Sequence, residues 1–277
     1  MKLSELKKDK KFKVSPLYAL ERKNNLKALI IFSIIAAILV FITVAMFNLM
    51  EDALKMLEGM FENNPELKDQ IAELIGSQNI ATYFVLQAGQ MWGLLGIIYA
   101  AFLGCKLVGE NLKDGSYEML YTQNVSRTKI VLNKFVRLVI NLLIFNAICG
   151  IFGLVGMLIW GYGQFNVLNY FVYWLFLIVM SVQAGAISFA FALFGKRKYT
   201  TFLSVVVAVA FYFIAYLGLA GSNFEFLSYL TPFAVVLADV LNSGLGVVNY
   251  WSLAIWTIIP IILMFFAIKN FKNTDIV

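Results

Sequence analysis

The sequence predicts an all-α integral membrane protein with six transmembrane helices, and three observations carry that prediction. Of the 277 residues, 61% are hydrophobic and 14% charged, whereas a soluble domain is nearer half apolar and a quarter charged. Uncharged runs recur at or above the length of about 20 residues that a helix needs to cross hydrocarbon. Basic residues collect in alternate connections, the pattern that short cytoplasmic loops show.

Residues 1–27 begin with MKLSELKKDKKFK, a basic run suited to an anionic membrane surface. Ser15-Pro16 is a helix-start signal, with Pro at the first helical position. In LYALERKNNLK, Leu17, Leu20 and Leu26 form an apolar edge opposite Glu21, Arg22 and Lys23. That pattern fits a short interfacial helix or a charged extension of the first span. The first span covers 28–50. Its long polar lead, its length and the absence of a small-x-small cleavage site predict a retained anchor rather than a signal peptide.

Residues 51–79 hold two basic residues against seven acids. Leu54, Leu57 and Phe61, then Leu67, Ile71, Leu74 and Ile75, follow helical spacing around a break at Asn63-Asn64-Pro65. An extracytoplasmic hairpin of two short amphipathic helices is expected. The second span covers 80–105. Leu138 to Gly195 is 58 residues without a charge, long enough for spans over 130–160 and 167–195 around the polar turn GYGQFN. The last spans cover 199–221 and 248–269. Between them lie LSYLTPF, a candidate re-entrant helix FAVVLADVL, and the acids Glu225 and Asp239, which suit helix ends or a functional role.

With both termini cytoplasmic, 20 of the 22 basic residues lie inside; the reverse topology leaves only two there. Topology thus accounts for the net charge of +6, and no nucleic-acid partner is implied. Residues 1–277 read as a single transmembrane domain with membrane lipid as its solvent. Lys outnumbers Arg 18 to 4, a hint of an AT-rich bacterial genome, so the expected location of the six spans is a bacterial cell membrane.

Several chemistries are excluded. The chain has no histidine and two cysteines, so His-built metal sites and Ser-His or Cys-His nucleophiles have no parts. It has no G-x-x-x-x-G-K-[ST] phosphate loop. The spans are expected to carry essentially no buried Asp, Glu, Lys or Arg, which would deprive an ion-coupled mechanism of its usual groups. No catalytic residue, metal site or cofactor of the chain's own is predicted. Work must then be supplied from outside, and the largest cytoplasmic loop, GENLKDGSYEMLYTQNVSRTKIVLNK, is where a soluble partner would push.

That loop holds a turn at Asp114-Gly115, a short helix SYEMLYTQ that Ser116 can cap, and a re-entry at Ser126. Tyr117, Met119, Leu120 and Tyr121 offer the aromatic and methionine surface of an interface core. A hairpin lying on its own bundle fits the same residues. The spacing E-x4-G-S-x-E-x-L-x4-V-S-R, on Glu110, Gly115, Ser116, Glu118, Leu120, Val125, Ser126 and Arg127, resembles the signature of ABC-2-type transporter permeases. There the pattern reads roughly E-x4-G-T-x-E-x-L-x3-P-V-S-R, so Ser116 replaces Thr and Asn124 stands where Pro is usual. LSYLTPF is similar to the family's L-S-P-F region.

The resemblance implies a cytoplasmic coupling helix between spans two and three that docks on a separate ABC ATPase subunit. Two ATPase copies would bind a pair of permeases, identical or sister chains, and would hold ATP and Mg themselves. Glu110, Asp114, Gly115, Ser116, Tyr117, Glu118, Met119, Leu120, Tyr121, Ser126 and Arg127 would form the coupling site. Arg22 or Lys23 would pair with Glu110 or Glu118. The cargo path would follow spans two and five, with Gln87, Gln90 and Met91 facing Phe211, Tyr212 and Tyr216, although ordinary helix packing explains each of these at least as well. The cargo would be amphipathic or hydrophobic: a peptide toxin, an antimicrobial peptide, a drug or a lipid-like molecule. A non-transporting immunity or sensor subunit is the competing expectation.

Overall fold

The computed structural model describes residues 16–57, 79–113, 127–194, 199–218, 224–233 and 240–273. Among them, six helices are long and apolar enough to cross a membrane, and no strand occurs. Helix α1 (Pro16–Ala45) starts at its proline and continues past Met46 into α2 (Phe47–Leu57). Helix α3 begins as Ile80–Tyr83, passes through a π-helical segment Phe84–Gly89 and runs on as Gln90–Lys113. Helices α4 (Arg127–Trp160) and α5 (Val167–Phe194) follow, then α6 (Thr200–Leu217). Two short helices, α7 (Glu225–Tyr229) and α8 (Val240–Ser243), precede α9 (Tyr250–Asn273).

Each long helix is apolar all round, because one face meets protein and the other lipid. On α1 the division is sharp. Leu29, Ser33, Ala36, Val40 and Val44 are buried at three- and four-residue spacing, while Ile31, Ile34, Ile35, Ile38 and Ile42 face outward. The buried stripe is built of small side chains, so backbones approach closely, as association within lipid requires. A Cβ added at Gly153 of α4 would lie 3.3 Å from Val40, and one at Gly156 would lie 3.2 Å from Val44. Both numbers rise together along the two chains, so α1 and α4 run parallel.

The same logic joins α3 to α5. A Cβ at Gly89 would overlap the Tyr173 hydroxyl, one at Gly96 would lie 3.2 Å from the Ser181 hydroxyl, and one at Gly104 would lie 2.7 Å from the Gly185 carbonyl. These helices are also parallel. Helix α9 lies beside α5 in the same sense, with Gln183 Nε2 donating to Thr257 Oγ1 at 2.9 Å. Helix α6 instead packs antiparallel to α3, since Ser204 meets Cys105 while Tyr212 meets Gln90.

A polar hub ties the centre together. Trp92 Nε1 of α3 donates to Asn146 Oδ1 of α4 at 3.0 Å, and Trp174 Nε1 of α5 donates to the Asn146 carbonyl at 2.9 Å. Asn146 Nδ2 donates to the Leu142 carbonyl at 2.8 Å and to Ser181 Oγ at 3.3 Å. With no water in hydrocarbon to replace such partners, each bond between helices contributes on the order of 0.6 kcal/mol, up to about 1.7.

The expectation of essentially no buried charge in the spans is overturned. Lys134 and Arg137, both on α4, are 5% and 3% exposed. Lys134 Nζ donates to the Leu107 carbonyl of α3. Both side chains fall on the helix face that also buries Leu138, Asn141 and Leu142. The helix therefore carries these two basic residues inward at this end, while Lys129 stays exposed.

Candidate coupling junction and transport path

The ends of the bundle place the functional segments. Arg127 opens α4 and donates from Nη1 to the Phe271 carbonyl in the last turns of α9, at 3.5 Å. A cation on late helix carbonyls is a favourable pairing with the helix dipole. At the same end, Cys105 Sγ of α3 donates to the Ser188 carbonyl of α5 at 3.4 Å and to Ser204 Oγ of α6 at 3.2 Å. Lys106 lies 5.8 Å over the Phe102 ring. The long loop thus leaves α3 and enters α4 at the end where α5 finishes, α6 starts and α9 finishes.

Of the coupling residues expected from sequence, Arg127 is placed as above, and Glu110 lies on α3 with its side chain outside the described residues. Asp114, Gly115, Ser116, Tyr117, Glu118, Met119, Leu120, Tyr121 and Ser126 also lie outside them. So do the side chains of Arg22, Lys23 and Glu225, the whole of Asp239, and the hairpin beyond Leu57 up to 78.

Of the expected path residues, Gln90 and Tyr212 meet where α3 and α6 pack. The Tyr212 hydroxyl donates to the Gln90 carbonyl at 3.1 Å. Gln87 sits within the π-helical segment, half-buried like Gln90 and Phe211, while Met91 and Tyr216 are exposed. Phe211 makes an edge contact with Trp256 of α9 at 5.6 Å, and Tyr212 one with Phe233 at 5.9 Å. Phe233 is reached because the chain folds back after α6. Thr231 and Phe233 are buried, and the Tyr229 carbonyl accepts from Trp256 Nε1 at 3.4 Å. A segment dipping back among spans needs this protein cover for its backbone. At this far end, Asn242 Nδ2 donates to Thr82 Oγ1 at 2.7 Å, and Asn79 Oδ1 caps α3 through the Thr82 amide at 2.7 Å.

Sequence reasoning misses three features. The first is the π-helical segment, a geometry that recurs at functional sites. The second is the buried pair Lys134 and Arg137; its signal is the three-residue spacing that continues the apolar face through Leu138 and Asn141. The third is a cavity of about 410 Å³ between α5 and α6, walled by Ala184, Phe191, Val207, Phe211 and Phe233. Among the described residues, no three Cys, Asp or Glu side chains converge in a way that could hold a metal.

Compared with known protein families, residues 18–272 match the C-terminal domain of the multidrug efflux system permease Rv1217c. The chain belongs to that family. No curated protein and no solved structure matches it. The match reaches every long helix of the permease, from α1 to α9, and with them both the α3–α6 contact and the junction at Arg127. It makes the chain a multi-pass transporter permease.

Proposed function

We propose that this permease is the membrane subunit of an ABC-2-type exporter in a bacterial cell membrane, driven by a separate ATPase that supplies ATP and Mg. The observation that carries the reading is the junction at Arg127, the last residue of the coupling signature. Its bond to Phe271 ties the exit of the loop to α9, and the entry is continuous with α3. A push on Tyr117, Met119 and Leu120 is thereby delivered to α3, α4 and α9 together. Movement of α3 against α6 would open the path at Gln90 and Tyr212. Two permeases, identical or sister chains, and two ATPase copies complete the transporter. The family's multidrug efflux points to small amphipathic or hydrophobic compounds ahead of peptide toxins as cargo.

The test is co-purification with the ATPase encoded beside it. The wild-type permease should retain the ATPase stoichiometrically, and the triple change Tyr117→Asp, Met119→Asp, Leu120→Asp should lose it while eluting as a folded protein. Retention by both forms, or by neither, sinks the coupling assignment.

A further inference from the structure

We infer that the cavity between α5 and α6 is a binding site for an uncharged aromatic molecule carrying a hydrogen-bond acceptor. The inference rests on the efflux reading for its biological use but not for its chemistry. At about 410 Å³, the cavity falls in the range of about 300–1,000 Å³ typical of small-molecule sites. Its walls include the rings of Phe211 and Phe233, and no charged side chain lines it. No carboxylate lines it to pair with a cation that would have to shed its water on entering.

One end is polar. Ser188 and Ser204 line the cavity and are 3% and 7% exposed. Ser204 Oγ lies 3.2 Å from Cys105 Sγ, and among the described residues the Ser188 hydroxyl makes no hydrogen bond. Other serine and threonine hydroxyls in this bundle do donate to the carbonyl four residues back, as Ser181 does to Leu177 and Thr43 to Leu39. A buried donor facing an apolar space calls for an acceptor from the occupant. A carbonyl or ether on a flat aromatic body satisfies both the rings and the hydroxyls, whereas an acyl chain satisfies only the walls. Leu203 and Val207 both line the cavity and are exposed on α6, so its mouth includes them. Entry is therefore from the lipid side.

Nile red, neutral and aromatic with one carbonyl, is the probe. Its fluorescence is titrated on the full chain in phosphatidylcholine–phosphatidylglycerol nanodiscs, with empty nanodiscs as the blank. The wild type should show a saturable component of one site per chain. Val207→Trp, which fills the mouth, should weaken it at least tenfold, and Ile258→Trp on the outer face of α9 should leave it unchanged. Ser188→Ala and Ser204→Ala should each weaken it several-fold and shift emission to the blue as the carbonyl loses its donor. These two conservative changes keep the test decisive even if Val207→Trp does not fold. A wild type indistinguishable from empty nanodiscs, or serine variants with unchanged affinity and colour, would overturn the site. So would native mass spectrometry showing a phospholipid held by wild type and lost from Val207→Trp. Should Nile red fail to bind while the ATPase co-purifies, the site is wrong and the exporter reading stands. Should it bind saturably with no ATPase retained, the site stands and the exporter reading is wrong.

Discussion

Helices α3 and α5 differ from α6 and α9 in almost every physical respect. In their most apolar stretches, 67% of each of the first pair is buried, against 22% of α6 and 17% of α9. The first pair is locked by glycines that leave no room for a Cβ and by indole and amide hydrogen bonds on Asn146. The second pair is held through isolated bonds, such as Tyr212 to Gln90 and Gln183 to Thr257, and through aromatic edges. The contrast teaches where motion is cheap. Displacing α6 breaks fewer contacts than displacing α5, which tears out the hub. Both the expected path and the cavity lie on the border between the two.

The largest effect should come from crowding the locked half. In Gly150→Leu the new Cβ would overlap the Trp174 ring, so overpacking should cost about 3 kcal/mol or more. Thermal unfolding in detergent would then show a Tm lowered by several degrees or no folded protein. Next comes Asn146→Leu, which strands Trp92 Nε1 and frees Ser181. A loss of about 1–2 kcal/mol is expected, measurable by unfolding in mixed micelles; no change would mean the hub is ornamental. Tyr212→Phe removes a single bond to Gln90 and should cost about 0.6 kcal/mol. It should nevertheless alter the rate of dye efflux, and an unchanged rate would take the α3–α6 contact off the path. Smallest of all, Ile258→Val on the outer face of α9 should move stability by no more than about 0.5 kcal/mol. A larger loss there would show that the face meets protein, not lipid.

The six spans are legible because lipid imposes length, and the uncharged runs are long enough to count. Pro16 as a helix start is legible for a local reason, the fixed φ of its ring. Lys134 and Arg137 escape the sequence because counting basic residues assigns each to a loop, whereas a helix projecting beyond hydrocarbon can turn both inward, Lys134 onto the Leu107 carbonyl. Helix α6 stops at Leu217, short of the expected 221, with Gly218 as its cap. The π-helical segment has no local signature; Phe84 and Gly89 are fixed there by Tyr170 and Tyr173 of α5, a contact no periodicity announces. Tyr212 suits the path by its polarity, but its partner, a backbone carbonyl on α3, is invisible to any reading of side chains.

The parallel pairing of α1 with α4, of α3 with α5 and of α5 with α9 has a consequence for how the chain is made. Neighbours in sequence are not the closest neighbours in space, so α1 must wait for α4, and α3 for α5. Synthesis proceeds at about 5–20 residues per second, and α1 therefore stands in the bilayer for roughly ten seconds with Ser33 and its small-residue stripe uncovered. During that interval α1 can pack on α3 through Phe32 against Tyr99, and α2 through Phe47 against Tyr83, while the inner stripe of α1 awaits α4. Its assembly is governed by the order in which the ribosome delivers partners.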